Sequence, residues 1–156
     1  MANATVTLIG DRLYAINAAI SGVKARRYFP ENYTQSAMHP LLIALPGAMT
    51  PSYDNVGAND DQHTQTFEII LLVKAFLAGI PTQSAQTDAE TLMDTVYDTY
   101  RARPLLEHGG AALDGVIQTR MSGHGGIEPF GEDVILCMVR FPILITTLKT
   151  FAFARS

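Results

Sequence analysis

At 156 residues the chain is long enough for one domain around one hydrophobic core that needs no disulfide or metal to hold it. With 47% hydrophobic and 17% charged residues it is too apolar to be disordered, and its low charge suggests a surface partly covered by other subunits. The net charge of −4, with no basic run beyond Lys24-Ala25-Arg26-Arg27, argues against a nucleic-acid binder that works by neutralising phosphates.

The single cysteine, Cys137, allows no internal disulfide and lies in an apolar run that makes it a core residue. No basic-then-apolar leader opens the chain, and no apolar run approaches the ~20 residues of a membrane span, so a soluble, reducing compartment is expected.

In chain order, residues 3 to 23 read as an amphipathic helix. Val6, Ile9, Leu13, Ile16 and Ile20 recur at spacings of three and four, while Asp11, Arg12 and Asn17 fall off that stripe. Asn3 or Thr5 suits the N-cap and Gly22 the stop, whereas Gly10 inside the stripe costs about 1 kcal/mol relative to Ala. Val23 to Phe29 is short, mixed and basic, as in an edge strand, and Pro30, Asn32, Ser36 and Pro40 mark a loop. Leu41 to Leu45 is a buried strand ended by Pro46-Gly47. From Pro46 to Thr64, Gly, Pro, Asn, Asp, Ser and Thr dominate, in a connection too long for an ordinary turn. It is a functional loop, a protruding hairpin arm, or a segment ordered on assembly.

Gln65 to Leu77 reads as the central strand. Its odd positions, Phe67 through Leu77, are all apolar, and its even positions mix Thr66, Glu68 and Lys74 with Ile70, Leu72 and Phe76. That second face needs a cover, expected from a neighbouring subunit. Gly79-Ile80-Pro81 closes the strand. A second helix is expected to start near Ser84 or Thr87, where Thr87 and Glu90 have capping-box spacing. Its stripe is Ala85, Ala89, Leu92, Met93, Val96 and Tyr100, and Pro104 ends or kinks it. Leu113 to Ser122 alternates as a half-buried strand, and 123 to 132 is a glycine-rich loop. In the last strand Ile135, Cys137, Val139, Phe141, Ile143 and Ile145 face one way, and Val134, Leu136, Met138 and Arg140 the other. Pro142 demands an edge or a bulge there, and the tail after Leu148 reads as fraying or a contact segment. The order predicts an α+β fold, a mostly antiparallel sheet of about five strands with two helices packed on one face. It forms a single domain over 1–156, with a long loop or arm at 47–64.

No catalytic or metal motif emerges. His39, His63, His108 and His124 have no zinc spacing and lie beside Pro, Gly or polar residues, as surface histidines do. Gly123-His124-Gly125-Gly126 fails the phosphate-loop spacing because Glu128 stands at the last glycine position and no helix follows. Ser122 near His124, and Ser36 near His39, sit in no nucleophile elbow. Asp54, Asp60 and Asp61 lack a calcium-loop pattern. No enzyme activity and no cofactor are expected; a small α+β enzyme or ligand-binding module using His124 is the remote alternative.

The layout resembles that of the tail terminator (minor tail or tail completion) proteins of long-tailed bacteriophages. The resemblance runs over about the whole chain: the helix Val6 to Ile20, the basic strand Arg26 to Pro30, and the apolar strand Leu41 to Pro46. It continues through Tyr53-Asp54-Asn55-Val56-Gly57, the strand Phe67 to Val73, the helix start Ser84 to Asp94, and Arg140-Phe141-Pro142-Ile143. It implies a virion protein of the tail or neck, assembled in the host cytoplasm, that forms a ring, typically a hexamer. The ring would cap the tail tube, stop its growth and offer the head-joining surface. The implied partners are further copies of itself, the major tail tube protein, a head completion or connector protein, and the tape measure protein. DNA would pass through the lumen without specific binding, and no membrane is involved. Related folds in tail-tube and neck proteins keep a tube or connector subunit open. The candidate contact residues are Met49, Tyr53, Asp54, Val56, Asp60 and Asp61 in the long loop, with His124, Ile127 and Phe130 in the glycine-rich one.

Overall fold

A computed structural model describes residues 4–35, 38–57, 60–77, 80–81, 83–131 and 135–150. Among these residues the chain runs α1 (Val6–Ala18), β1 (Lys24–Arg26), β2 (Leu41–Gly57), β3 (Asp60–Leu77), β4 (Ile80–Pro81), α2 (Gln83–Arg101), β5 (Val116–Met121), β6 (Glu128–Phe130) and β7 (Leu136–Thr150). The sheet order is β1-β2-β3-β7-β5, with β4 hooked onto β3 and β6 onto β7. Only β1 and β2 pair in parallel; the other pairings are antiparallel. The fold is α+β, with both helices on one face of a mostly antiparallel sheet.

Period two assigns that face. Phe67, Ile69, Leu71 and Val73 of β3 and Cys137, Val139, Phe141, Ile143 and Ile145 of β7 join Ile9, Leu13 and Ile16 of α1 and Ala85, Ala89, Val96 and Tyr100 of α2 in the main core. The opposite sides of the same strands, Ile70, Leu72, Leu136 and Met138, form a second cluster with Met38, Leu41 and Ile43. Here the expectation of a neighbouring subunit as cover is corrected. Ile70 and Leu72 are only 4% and 0% exposed, because the chain's own connection after β1 folds across them. Phe29 stacks on Phe130 at 5.5 Å, and Tyr33 meets Phe29 edge-on at 5.6 Å to seal that cover.

Other boundaries move for local reasons. Thr5, not Asn3, caps α1, its hydroxyl accepting from the Leu8 N–H at 3.2 Å. The helix stops at Ala18, short of the expected residue 23, and Gly22 turns the chain at φ 84°. Gly10 makes room for Arg27: a methyl there would overlap the guanidinium, which pairs with Asp11 at 3.2 Å. The second helix begins at Gln83, so Thr87 and Glu90 form no capping box. Thr87, Thr91, Thr95 and Thr99 lie inside it, and each hydroxyl donates to the carbonyl four residues back at 2.6–3.0 Å. Asn17, read as off the stripe, is buried where α1 meets α2, and Tyr100 donates to its Oδ1 at 2.6 Å.

Of the two proline signals, Pro46-Gly47 is corrected, and Pro142 has the sheet edge expected of it. Pro46-Gly47 does not end β2; it becomes a register shift between Pro46 and Met49, after which pairing with β3 resumes. Gln65 Nε2 donates to the Gly47 carbonyl at 2.9 Å across the irregularity. Pro142 lies inside the sheet, paired with Glu68 on one side, and its other side faces a break in strand pairing described below. The expected strand from Leu113 shortens to Val116–Met121, and the expected loop at 123–132 contains β6.

Candidate functional site

Three features stand apart from the core: an arm, an uncovered sheet surface and a cavity. The arm is the distal part of the β2–β3 hairpin, from Thr50 to Gly57 and back from Asp60, with β7 as third strand through the pairs Gln62–Leu148 and Asp60–Thr150. From the Thr50–Thr64 pair to the Gly57–Asp60 pair β3 advances four residues, about 13 Å at ~3.3 Å per residue, and the extra residues of β2 are taken up by the register shift after Ser52. The segment expected as a loop or arm is thus a strand-paired arm. Its base is polar and packed. His63, Gln65 and Thr147 are buried beside Ala4, Val6 and Ile9 around a cavity of about 10 Å³, and His63 Nδ1 lies 3.2 Å from Met49 Sδ. His63, expected at the surface, is therefore a strand residue buried at the base of the arm.

Among the described residues nothing covers the lower half of the helix-free face. One row crosses four strands as Thr50, Thr64, Thr146 and Gln118, and the adjoining row carries Thr66, Leu144 and Arg120. Leu144 is 41% exposed there. The surface is mostly hydroxyl and amide, and Thr–Thr neighbours across strands stabilise a sheet without apolar cover.

The cavity sits higher on that face, where β7 changes partners. β5 pairs with β7 down to Met121–Ile143, and β6 takes over at Glu128–Met138. Between them residues 122–127 bridge the gap, and the Gly125 N–H donates to the Arg140 carbonyl at 3.0 Å. By strand alternation Pro142, two residues on, turns its nitrogen to that same side, so its missing N–H falls where strand pairing is interrupted. The opening has a volume of about 350 Å³ and is lined by Glu68, Ser122, Gly123, His124, Gly125, Arg140 and Pro142. Arg140 is held by Glu128 at 3.0 Å and Glu68 at 3.5 Å, two half-exposed pairs worth up to about 1 kcal/mol each. The His124 ring lies edge-on to Phe141 at 5.8 Å.

The sequence-derived residues divide accordingly. Met49 is 45% exposed at the arm base, and His124 is exposed at the cavity rim. Tyr53, Asp54, Val56, Asp60 and Asp61 lie on the arm by backbone, and their side chains fall outside the described residues. Ile127 and Phe130 are half-buried: Ile127 packs on the main core and Phe130 on the second cluster, so part of the apolar surface of each is used within the chain. Glu68, Glu128 and Arg140 were missed as a group. The available signal was one acidic and one basic residue on the second faces of two apolar strands. Joining them needs the β3–β7 register, which no local pattern supplies.

Ser122 and His124 share the cavity, and no hydrogen bond joins them among the described residues. Among the described residues no cluster of His, Cys, Asp or Glu suited to a metal ion is found, and no helix is long and apolar enough to cross a membrane. No family model matches the chain, and a search of curated proteins returns no significant match.

Proposed function

We propose that this chain is a ring-forming structural protein of a long-tailed phage, a tail terminator that caps the tail tube, stops its growth and offers the surface on which the head is joined. The observation that carries this reading is the arm. A three-stranded ribbon extends past His63 and Thr147, the last buried side chains among those described, with no helix against it among the described residues. Its backbone pairing gives it stiffness, and its reach suits a contact beside, above or below the subunit.

The sequence resemblance supplies the place in the virion, and the fold is compatible with it. The partners are other copies of the chain, the tail tube protein, a head completion or connector protein and the tape measure protein. DNA passes through the lumen and is not gripped, in keeping with a net charge of −4. A tube or connector subunit is the neighbouring reading, and electron microscopy separates the three: a tube protein polymerises, a terminator stops at one ring, and a connector leaves tubes uncapped.

The test is to replace residues 53–61 by a two-residue Asn-Gly turn, which closes the hairpin at the existing Ser52–Gln62 pair. That change leaves the helices and both core clusters in place, so thermal stability should stay near that of the parent. Capping of tail tubes and head joining should both be lost. A trimmed protein that caps tubes as well as the parent would remove the arm from the assembly mechanism. A full-length chain that neither caps nor joins would sink the proposal itself.

A further inference from the structure

The basic run Lys24-Ala25-Arg26-Arg27 has no role in the reading above, and the fold places it where it can act. Arg27 is committed to Asp11 on α1. Arg26 is exposed, donates to the carbonyl of Ala25 at 2.7 Å, and has no carboxylate partner among the described residues. Nearby Tyr28 is 69% exposed, the largest value among the exposed hydrophobic side chains. An exposed Arg and Tyr on one short edge segment are the residue types that most often anchor protein interfaces.

The opposite side of the sheet carries a complementary feature. Arg140, which lines the cavity, pairs with two carboxylates, Glu68 in the lining and Glu128 outside it, so this cluster of three side chains carries a formal net charge of −1. The two features also share a level. Arg26 registers with Ile43, Ile43 with Ile70, and Ile70 with Arg140, one row across β1, β2, β3 and β7. A cation at one end of that row and a net negative cluster at the other are complementary between copies. Within one chain they stay about three strand spacings, roughly 15 Å, apart.

We infer that the cavity formed by Glu68, His124 and Arg140 receives Arg26 of a second copy, so that the β1 edge of one subunit docks on the β5–β6 side of the next. The inference rests on the ring reading above. Its contact is heterologous, head to tail, as a cyclic ring requires. Arg26 completes a quartet of two guanidinium and two carboxylate groups, and the 350 Å³ opening leaves room for one long side chain. Tyr28 covers the rim and lowers the local dielectric, which strengthens the charge pairing.

The test uses the full chain. An Arg26→Cys protein is mixed with a His124→Cys protein under mild oxidation, with tail tubes present to promote ring formation; buried Cys137 serves as the unreactive background. The expected product is a disulfide-linked pair of one copy of each variant, with neither variant linking to itself. In parallel, Arg26→Glu should weaken self-association about tenfold, and adding Glu128→Arg should restore most of it, with raised salt reducing the parent's association. If the parent forms rings but the mixed disulfide does not appear and Arg26→Glu associates normally, this docking is wrong while the ring reading stands. If the parent stays monomeric at high concentration and beside tubes, the ring reading fails and the docking fails with it.

Discussion

Tyr100 is the side chain whose surroundings fix most about its behaviour. It is 2% exposed, and its hydroxyl lies 2.6 Å from Asn17 Oδ1 and 3.2 Å from the Leu13 carbonyl, so it ties α2 to α1 through one buried atom. Removing that hydroxyl leaves the Asn17 oxygen buried without a donor, which costs about 1–3 kcal/mol. Tyr100→Phe should therefore lower Tm by about 5 °C in thermal denaturation followed by circular dichroism. Asn17→Leu added to Tyr100→Phe should recover part of the loss, since then neither polar group is stranded. Burial also pushes the phenol far above its ordinary ionisation range, because a tyrosinate cannot be solvated there. The folded chain keeps this proton above pH 10 while the unfolded chain releases it, so the contribution of Tyr100 is intact below pH 10 and falls by about 1.4 kcal/mol per pH unit above it, beside a smaller loss that begins lower at the buried Cys137 thiol. Tyr100→Phe should flatten that alkaline slope, read from denaturant midpoints between pH 9 and pH 11. An unchanged slope would move the alkaline sensitivity to another group.

At the scale of elements the clearest test is the cover of the second sheet face. Phe130, on the three-residue strand β6, packs with Phe29 and Tyr33 over Ile70, Leu72 and Met138. Phe130→Ala opens that cover and should cost about 2 kcal/mol, below the full core value because the ring is only partly buried. Increased binding of a hydrophobic dye should accompany the lower denaturation midpoint. If dye binding rises only in assembled rings and not in the free chain, the cover is not the one described. The same region shows what the sequence could tell and what it could not. Alternation in Phe67 to Val73 and in Cys137 to Ile145 announces strands with two different faces, because a pleated strand forces period two. The cover itself was illegible: Phe29, Tyr33 and Met38 sit among Pro, Asn and Ser with no periodicity, and only tertiary packing brings them over the sheet. Pro46-Gly47 and the polar text after it left a loop and a hairpin arm both open for a related reason. Polar residues are poor strand formers alone, but β3 with a partner on each side stabilises the arm by pairing rather than by propensity. At the cavity, Glu68 and Arg140 were visible singly, and their meeting depends on register over a separation of 72 positions.

The whole molecule presents an open sheet, and open edges carry unpaired N–H and C=O groups that invite further strands. On one side β1 protects β2 only from Leu41 to Ile43, and among the described residues no other strand lies outside the remainder of β2, which runs to Gly57. On the other side β5 ends the sheet with Val116–Met121, a segment of high strand propensity carrying one charge, Arg120, and an exposed Ile117. The register shift between Val116 and Gln118 twists the start of that edge, a common protection against promiscuous pairing, but leaves Gln118 to Met121 regular. A ring that joins the β1–β2 side of one copy to the β5–β6 side of the next would cover both edges at once. Hydrogen exchange can test this residue by residue. In the free chain, β5 amides that point toward β7 should be protected and those that point outward should exchange freely, giving an alternating pattern over Gln118 to Met121. After addition to tail tubes the outward amides should slow by at least tenfold, while those of the second cluster, already covered within the chain, should hardly change. Outward β5 amides that still exchange freely in capped tubes would place the subunit contact elsewhere, and would leave the arm as the main device of assembly.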